Sequence, residues 1–531
     1  MVRVALGVLA LALLADTALA AAVWSPWWAL AAALPLALAA GVLVHRGRRA
    51  DPDEPVWPLG KALEITDPDR PETTRAALPL SVLPFGVLFI GGTGAGKTTG
   101  VLSLLGAIRR AGHGLAYLDG KGEIDAYRLS VAMGFAPDRF FSSELAHSHT
   151  LNLLCGEAED VLEIATRIFL PPAGSTAYYH DQQRAVLSWM VPLLHASQAP
   201  YTARDLFAAL ASEDALHEAI WRAKQGEAEG YQITLAEAFA RREPRDRQEV
   251  LGGLLNRMSV YVQGPVADRV NAVDPDIDIA AAAAGGQHLY FHLPYTGVAR
   301  DIGVAVQEQF GIVARRRQQA GGGPLYPIIA DDWGRFVHEN YAAITARCRS
   351  AGLPQILSFQ SIGQMREVAP EFLTVLDDNL ATKVVMRVMG EDTAAWAARL
   401  LGGYERLGAG VSELGGRQGA SLQAAYRPRV EARELRELEP GGAYLSTVIR
   451  EGAATRNPLW RTRLPYPELE RPPENIGWPR PEPEPAGPGP GGLGLWDRHM
   501  NGRRWAAVRE AASRAPRTDP APDTPAVEVL S

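Results

Sequence analysis

The chain has 531 residues with 47% hydrophobic content, enough for two or three folding units with sizeable cores. A net charge of −7 excludes a surface coated for nucleic acid, so any DNA contact has to come from a local basic strip. Its two cysteines, Cys155 and Cys348, lie far apart in no metal-ligand spacing. They exclude a disulfide scaffold, are expected to be reduced and buried, and suit a cytosolic bulk.

Val4 to Trp24 is apolar apart from Asp16 and Thr17, and Trp27 to Val44 carries no charge. The second run is about 27 Å long by helical rise, enough for a hydrocarbon core. Asp16 costs roughly 3 kcal/mol in mid-membrane, which the leucines and valines of its run offset by about 3–5 kcal/mol. Arg3 before the pair, and Arg46, Arg48 and Arg49 after it, put both ends in the cytoplasm as a transmembrane hairpin turning at Ser25 and Pro26. A rival reading takes residues 1–20 as a signal peptide cut after Thr17-Ala-Leu-Ala20. Either way Arg46 and the rest of the chain are cytoplasmic.

Residues 51–79, rich in Pro, Asp and Glu, read as a linker. A nucleotide domain begins near Leu80. Val87 to Ile90 is a short apolar strand. Gly91, Gly92, Thr93, Gly94, Ala95, Gly96, Lys97, Thr98 and Thr99 then complete the phosphate-loop pattern, and Val101, Leu102, Leu104, Leu105 and Ile108 continue at helical spacing. A strand, a glycine turn and a helix N-terminus aim backbone N–H groups at one spot, which suits a polyphosphate. Lys97 reaches the terminal phosphates as a catalytic charge and Thr98 ligates Mg2+. Gly114 to Leu118 is a second strand, ending in Asp119-Gly-Lys-Gly-Glu123 at the ligand edge of an α/β sheet.

From about 160 to 262 the apolar positions keep helical period, as at Ala185, Val186, Trp189, Met190, Leu193 and Leu194, so an all-α insertion is expected. Thr202 is its plausible helix start before Leu206, and Tyr178, Tyr179, Trp189 and Met190 are expected in its core. The α/β pattern resumes with a strand at Gln287–Leu293 and a helix from about Gly297 to Gln319 that carries Arg315, Arg316 and Arg317. Pro327 to Ala330 runs straight into Asp331 and Asp332. In a P-loop ATPase the first carboxylate holds the Mg2+ shell and the second polarises the attacking water.

Asp119-Gly-Lys-Gly-Glu123, Ile328-Ile-Ala-Asp331-Asp332-Trp333, the helix ending Ala346-Arg-Cys-Arg349-Ser-Ala-Gly352, and the strand Pro354–Phe359 with Gln360-Ser-Ile-Gly-Gln364 form one set. With Asp378-Asn379 and a strand from Lys383 to Met389, the set resembles the type IV secretion coupling proteins, the conjugative DNA-transfer ATPases. The resemblance implies a RecA-like P-loop domain with an inserted all-α domain, in a membrane-anchored homo-hexamer. It implies an ATP- and Mg2+-dependent motor that brings DNA with its relaxase, or effector proteins, to the channel components. It places the protein in the inner membrane as a multi-pass protein with both termini cytoplasmic. Gln360 falls at a motor's sensor position. Arg349, eleven positions before it, falls where a ring would present an arginine finger to the neighbouring subunit. One departure stands out: the family usually has Glu where this chain has Asp332.

The expected organisation is therefore 1–50 hairpin, 51–79 linker, 80–159 first nucleotide part, 160–262 all-α insertion, 263–464 second nucleotide part, and 465–531 a Pro-rich disordered tail. Within the tail, Leu495–Arg514 reads either as a basic amphipathic docking helix or as linker. A receptor that binds ATP only to assemble remains the alternative function. A small-molecule kinase is disfavoured by the hairpin and the insertion.

Overall fold

The computed structural model describes residues 54–67, 70–170, 177–338, 340–368, 372–414, 417–451, 454–481 and 492–500. The expected membrane hairpin, the cleavage-site reading and the far part of the 495–514 helix lie outside them. Among the described residues no helix is long and apolar enough to cross a membrane.

Two units are present. Among the described residues the smaller holds Glu54–Val56 with the strands Ile449–Glu451 and Ala454–Arg456, which pair as an antiparallel hairpin. The larger is built on one mixed sheet. Its strands are β1 (Val56–Glu64), β2 (Glu72–Pro79), β3 (Val87–Ile90), β4 (Leu115–Asp119), β5 (Arg139–Ser142), β6 (His288–His292), β7 (Ile328–Asp331), β8 (Gln355–Phe359), β9 (Thr382–Met386), β10 (Gly442–Ser446) and β11 (Leu459–Arg463). Their order is β2-β1-β11-β10-β9-β3-β8-β7-β4-β6-β5. From β9 to β5 neighbouring strands are parallel. The pairs β9–β10, β10–β11 and β11–β1 are antiparallel. A separate hairpin joins Gly403–Leu414 to Arg417–Pro428.

The parallel centre has a chemical reason. Val-Leu-Phe-Ile in β3, Leu-Ala-Tyr-Leu-Asp in β4 and Ile-Ile-Ala-Asp in β7 are buried at every position, as strands covered by helices on both faces must be. The helix α1 (Lys97–Arg110) does not lead to an adjacent strand: β8 and β7 stand between β3 and β4. The acidic strand β7 is thereby drawn close to the P-loop.

Between β5 and β6 the described residues make eight helices, of which six have nine or more residues: α2 (Ala158–Phe169), α3 (Ala177–His195), α4 (Ala203–Ala211), α5 (Glu213–Gln225), α6 (Gly230–Ala240) and α7 (Pro244–Val262). At the start of α4, Thr202 is the N-cap as expected, in a capping box with Asp205, whose Oδ2 accepts from Thr202 N–H at 3.0 Å and from its hydroxyl at 3.1 Å. Trp189 and Met190 are core, but Tyr178 and Tyr179, on the first turn of α3, are 69% and 42% exposed. Cys348 is buried as expected; Cys155 is exposed.

Two stretches read as unstructured are part of this unit. The expected linker contains β1 and β2; alternation buries Trp57 and Leu59 on one face of β1, and Ala62 is buried beyond the break in alternation at the left-handed Gly60. Trp57 Nε1 donates to Ser103 on the P-loop helix at 3.1 Å. The tail begins with packed chain: Trp478 lies edge-on to His292, with ring centres 4.5 Å apart, and Arg128 Nε donates to the carbonyl of Ile476. Further on, a single turn α8 (Leu495–His499) sits on α4 and α5, with Leu493, Leu495, Trp496 and Met500 buried. Four such side chains gain about 6–12 kcal/mol on burial. Ordering nine residues costs about 13 kcal/mol, so this segment is held near balance.

Candidate nucleotide site

The P-loop leaves β3 and enters α1 with Gly96 as the N-cap residue, at φ 97°. Gly94 is also left-handed, at φ 71°. Both positions require glycine, since a side chain there would be strained. Gly96 offers no side-chain acceptor to the first-turn N–H groups, which leaves that helix end suited to an anion. Two contacts hold the loop from outside the motif: Gly92 N–H donates to the carbonyl of Arg387 at 2.7 Å, and Gly441 N–H donates to the carbonyl of Ala95 at 2.9 Å. Lys97 is buried and its Nζ donates to the carbonyl of Gly92 at 3.1 Å. Burial pulls the pKa of its ammonium down, against the opposing pull of Asp331 and Asp332.

The acidic strand reaches the same place. Thr98 Oγ1 donates to Asp331 Oδ2 at 2.8 Å, and the Tyr117 hydroxyl donates to the same oxygen at 3.1 Å. The other oxygen of Asp331 accepts from the Ser358 hydroxyl and from Asp332 N–H. A hydroxyl and a buried carboxylate in direct contact are a hard-oxygen donor pair, which fits Mg2+ beside the phosphates. Asp332 sits at φ 54°, ψ 39°, a left-handed conformation that Asp and Asn tolerate better than longer side chains. Its N–H donates to Ser358 Oγ at 3.0 Å, and its Oδ1 accepts from Gln360 Nε2 at 3.1 Å. Gln360 Oε1 in turn accepts from the Thr93 hydroxyl at 3.0 Å. The side chains of Thr93, Gln360 and Asp332 thus form one chain from the P-loop to the second carboxylate.

Sequence reasoning missed Ser358 and Tyr117. A signal for each existed, a lone polar side chain within an apolar strand that abuts the acidic one. The strand order needed to use it was not visible.

Asp119, Lys121 and Glu123 lie one strand beyond β7. The carboxylate of Asp119 serves its own loop: Oδ1 accepts from the N–H groups of Lys121 and Gly122, each at 3.0 Å, and Oδ2 accepts from the Tyr290 hydroxyl at 2.8 Å. Arg335, just after the acidic pair, donates to the carbonyl of Gly120 and covers the Tyr295 ring, so it fastens this loop to the loop after β7. Complete burial pushes the Asp119 carboxyl up to about 7. Since that is above the usual value of 3.8, its favourable contribution is complete below about pH 4 and is lost as pH rises through 7. Asp119→Asn keeps an acceptor for the two N–H groups and gives Tyr290 a donor. Chemical unfolding across pH should show wild type losing up to about 4 kcal/mol more than the variant between those limits. Parallel curves would place the titration elsewhere.

Arg349 is not gathered into this site. It lies at the end of α9 (Tyr341–Ser350), its guanidinium over the Phe85 ring with 4.9 Å to the ring centre. Phe85 precedes β3, whose length of about 13 Å separates it from the P-loop, so Arg349 occupies the opposite edge of the sheet.

No protein-family model matches the chain, and no curated protein matches it. Solved structures do. The bacterial conjugative coupling protein TrwBdeltaN70, in an unbound form, is 17% identical, with a TM-score of 0.53 over 75% of this chain and 89% of that one. The plasmid coupling protein TrwB in complex with the ATP analogue ADPNP is 16% identical, with a TM-score of 0.51 over 75% and 89%. TrwB in complex with ADP and Mg2+ is 14% identical, with a TM-score of 0.50 over 74% and 88%. The chain has the α/β fold of these proteins, with their large mixed sheet, and the resemblance read in its motifs holds at the level of fold.

Proposed function

We propose that the chain is an ATP-hydrolysing coupling protein of type IV secretion, a RecA-like motor that brings DNA with its relaxase, or effector proteins, to the secretion channel. The observation that carries this reading is the direct hydrogen bond between Thr98 and Asp331, made beside the buried Lys97. Thr98 and Asp331 are the residues to hold Mg2+, which when bound supplies the divalent charge that neutralises the phosphates. Lys97 leaves the Gly92 carbonyl for the terminal phosphates. Asp332 accepts the proton of the attacking water, and Gln360 and Thr93 hold it in register with the P-loop. The fold shared with a conjugative coupling protein supports the class. In this reading the hairpin within residues 1–50 anchors the chain in the inner membrane, both termini are cytoplasmic, and six copies form a ring. Purified residues 51–531 should hydrolyse ATP in the presence of Mg2+, and faster when single-stranded DNA is added. Turnover indifferent to DNA would favour the receptor that binds ATP for assembly.

Arg349 acts, in the same reading, on the nucleotide of the adjacent subunit. Its separation from the P-loop of its own subunit supports a target in a neighbour's site, where a guanidinium supplied in trans contributes about 10³ to 10⁵ in rate. Arg349→Ala and Lys97→Ala subunits, each inactive alone, should recover part of the ATPase when mixed. Mixed rings without recovery would reduce Arg349 to its contact with Phe85.

A further inference from the structure

The segment Gly492–Met500 is seated on the all-α insertion as a peptide ligand sits on a receptor. Leu493 N–H donates to the carbonyl of Pro200 at 2.7 Å. Leu495 and Trp496 N–H groups both donate to Asp205 Oδ1, at 2.7 and 3.4 Å, while the other oxygen of that carboxylate serves the start of α4. The Trp496 ring lies edge-on to Phe207, with ring centres 5.8 Å apart, and the Arg204 guanidinium stands 5.7 Å from its centre. Arg498 reaches both oxygens of Glu218, at 2.6 and 3.1 Å, and His499 Nε2 meets the same carboxylate at 2.6 Å. These contacts give an aromatic anchor in a slot, a carboxylate for backbone N–H groups, and a carboxylate for a basic pair, the components of linear-motif recognition.

The segment contributes no strand to the sheet. The chain that leads to it, Pro481–Gly491, consists of Pro, Glu, Ala and Gly alone and so brings no large apolar side chain of its own to bury. Nine residues held near energetic balance are suited to exchange.

We propose that the α4–α5 face is a receptor for a short motif, an apolar residue and Trp followed closely by two basic residues. The chain's own Leu493–Met500 covers that face until a partner protein displaying the same pattern displaces it. Because the segment is tethered, an outside peptide has to outcompete its high local concentration, so the intact chain resists weak competitors. This goes beyond the ATPase reading and is tested without nucleotide, so its failure leaves that reading untouched.

The test uses the full chain and a fluorescent peptide of residues 492–500, with anisotropy as the readout. A variant carrying Leu495→Asp and Trp496→Ala releases the resident segment. It should bind the peptide at least about 10-fold more tightly than wild type does, and adding Glu218→Ala should remove at least about 10-fold of that affinity. A scrambled peptide should not bind. The proposal is overturned if the released variant, folded by circular dichroism, does not bind, if wild type binds equally well, or if the scrambled peptide binds as tightly. Should the released variant not fold, hydrogen exchange on wild type decides. Leu495 and Trp496 amides should exchange well before that of Leu206 within α4. Equal protection would make the segment an integral part of the insertion and overturn the proposal.

Discussion

Lys97→Ala is expected to lower ATP turnover by at least about 10³-fold, equivalent to about 4 kcal/mol of transition-state stabilisation, in a protein that remains folded. Its ammonium is placed directly against the P-loop turn, on Gly92 O at 3.1 Å, and is faced by Asp331 and Asp332. Burial makes the charge costly to hold, and the two carboxylates offset that cost. Removing it leaves them uncompensated, so a moderate loss of thermal stability should accompany the loss of activity. The variant's circular dichroism should match wild type at 25 °C, and steady-state phosphate release gives the rate. Turnover within a few-fold of wild type would remove the basis for assigning hydrolysis to this site.

Asp331 and Asp332 should separate in phenotype although they are adjacent. Asp331→Asn loses a charge that Thr98, Tyr117 and Ser358 all hold in place, so nucleotide binding should become weak and insensitive to Mg2+. Asp332→Asn should leave nucleotide affinity near normal and slow turnover by about 10² to 10⁴-fold, the usual cost of a lost general base. This substitution is a clean probe, since Asn accepts the left-handed conformation at φ 54° as readily as Asp. Glu in its place would carry a longer chain into that conformation. Isothermal titration and single-turnover kinetics distinguish the two roles. Equal loss of affinity in both variants would make Asp332 a ligand and not the base.

The residues of the P-loop could be read from sequence because everything that makes it work is local. Gly94 and Gly96 are needed for backbone angles, Lys97 and Thr98 sit at fixed offsets, and the buried strand and helix on either side announce themselves by period. The acidic pair was legible for the same reason, as the end of a short apolar strand. The helical insertion was equally plain from its periodicity. By contrast, the partners that tie the site together come from strands far apart in the chain. Ser358 and Tyr117 mean nothing until β8 and β4 are known to flank β7, and sequence order does not fix that arrangement. The strand β1 was hidden because proline and charge at its exposed positions outweigh Trp57, Leu59 and Ala62, whose burial depends on a sheet completed by β11 some four hundred residues later. The same holds for Trp478 and Trp496, which sit in chain too poor in apolar residues to form a core of its own. Composition alone therefore marks the region as unstructured. Only the tertiary fold supplies His292 for one and the α4–α5 face for the other, because burial of an isolated aromatic is decided by the surface that receives it and not by its neighbours in sequence.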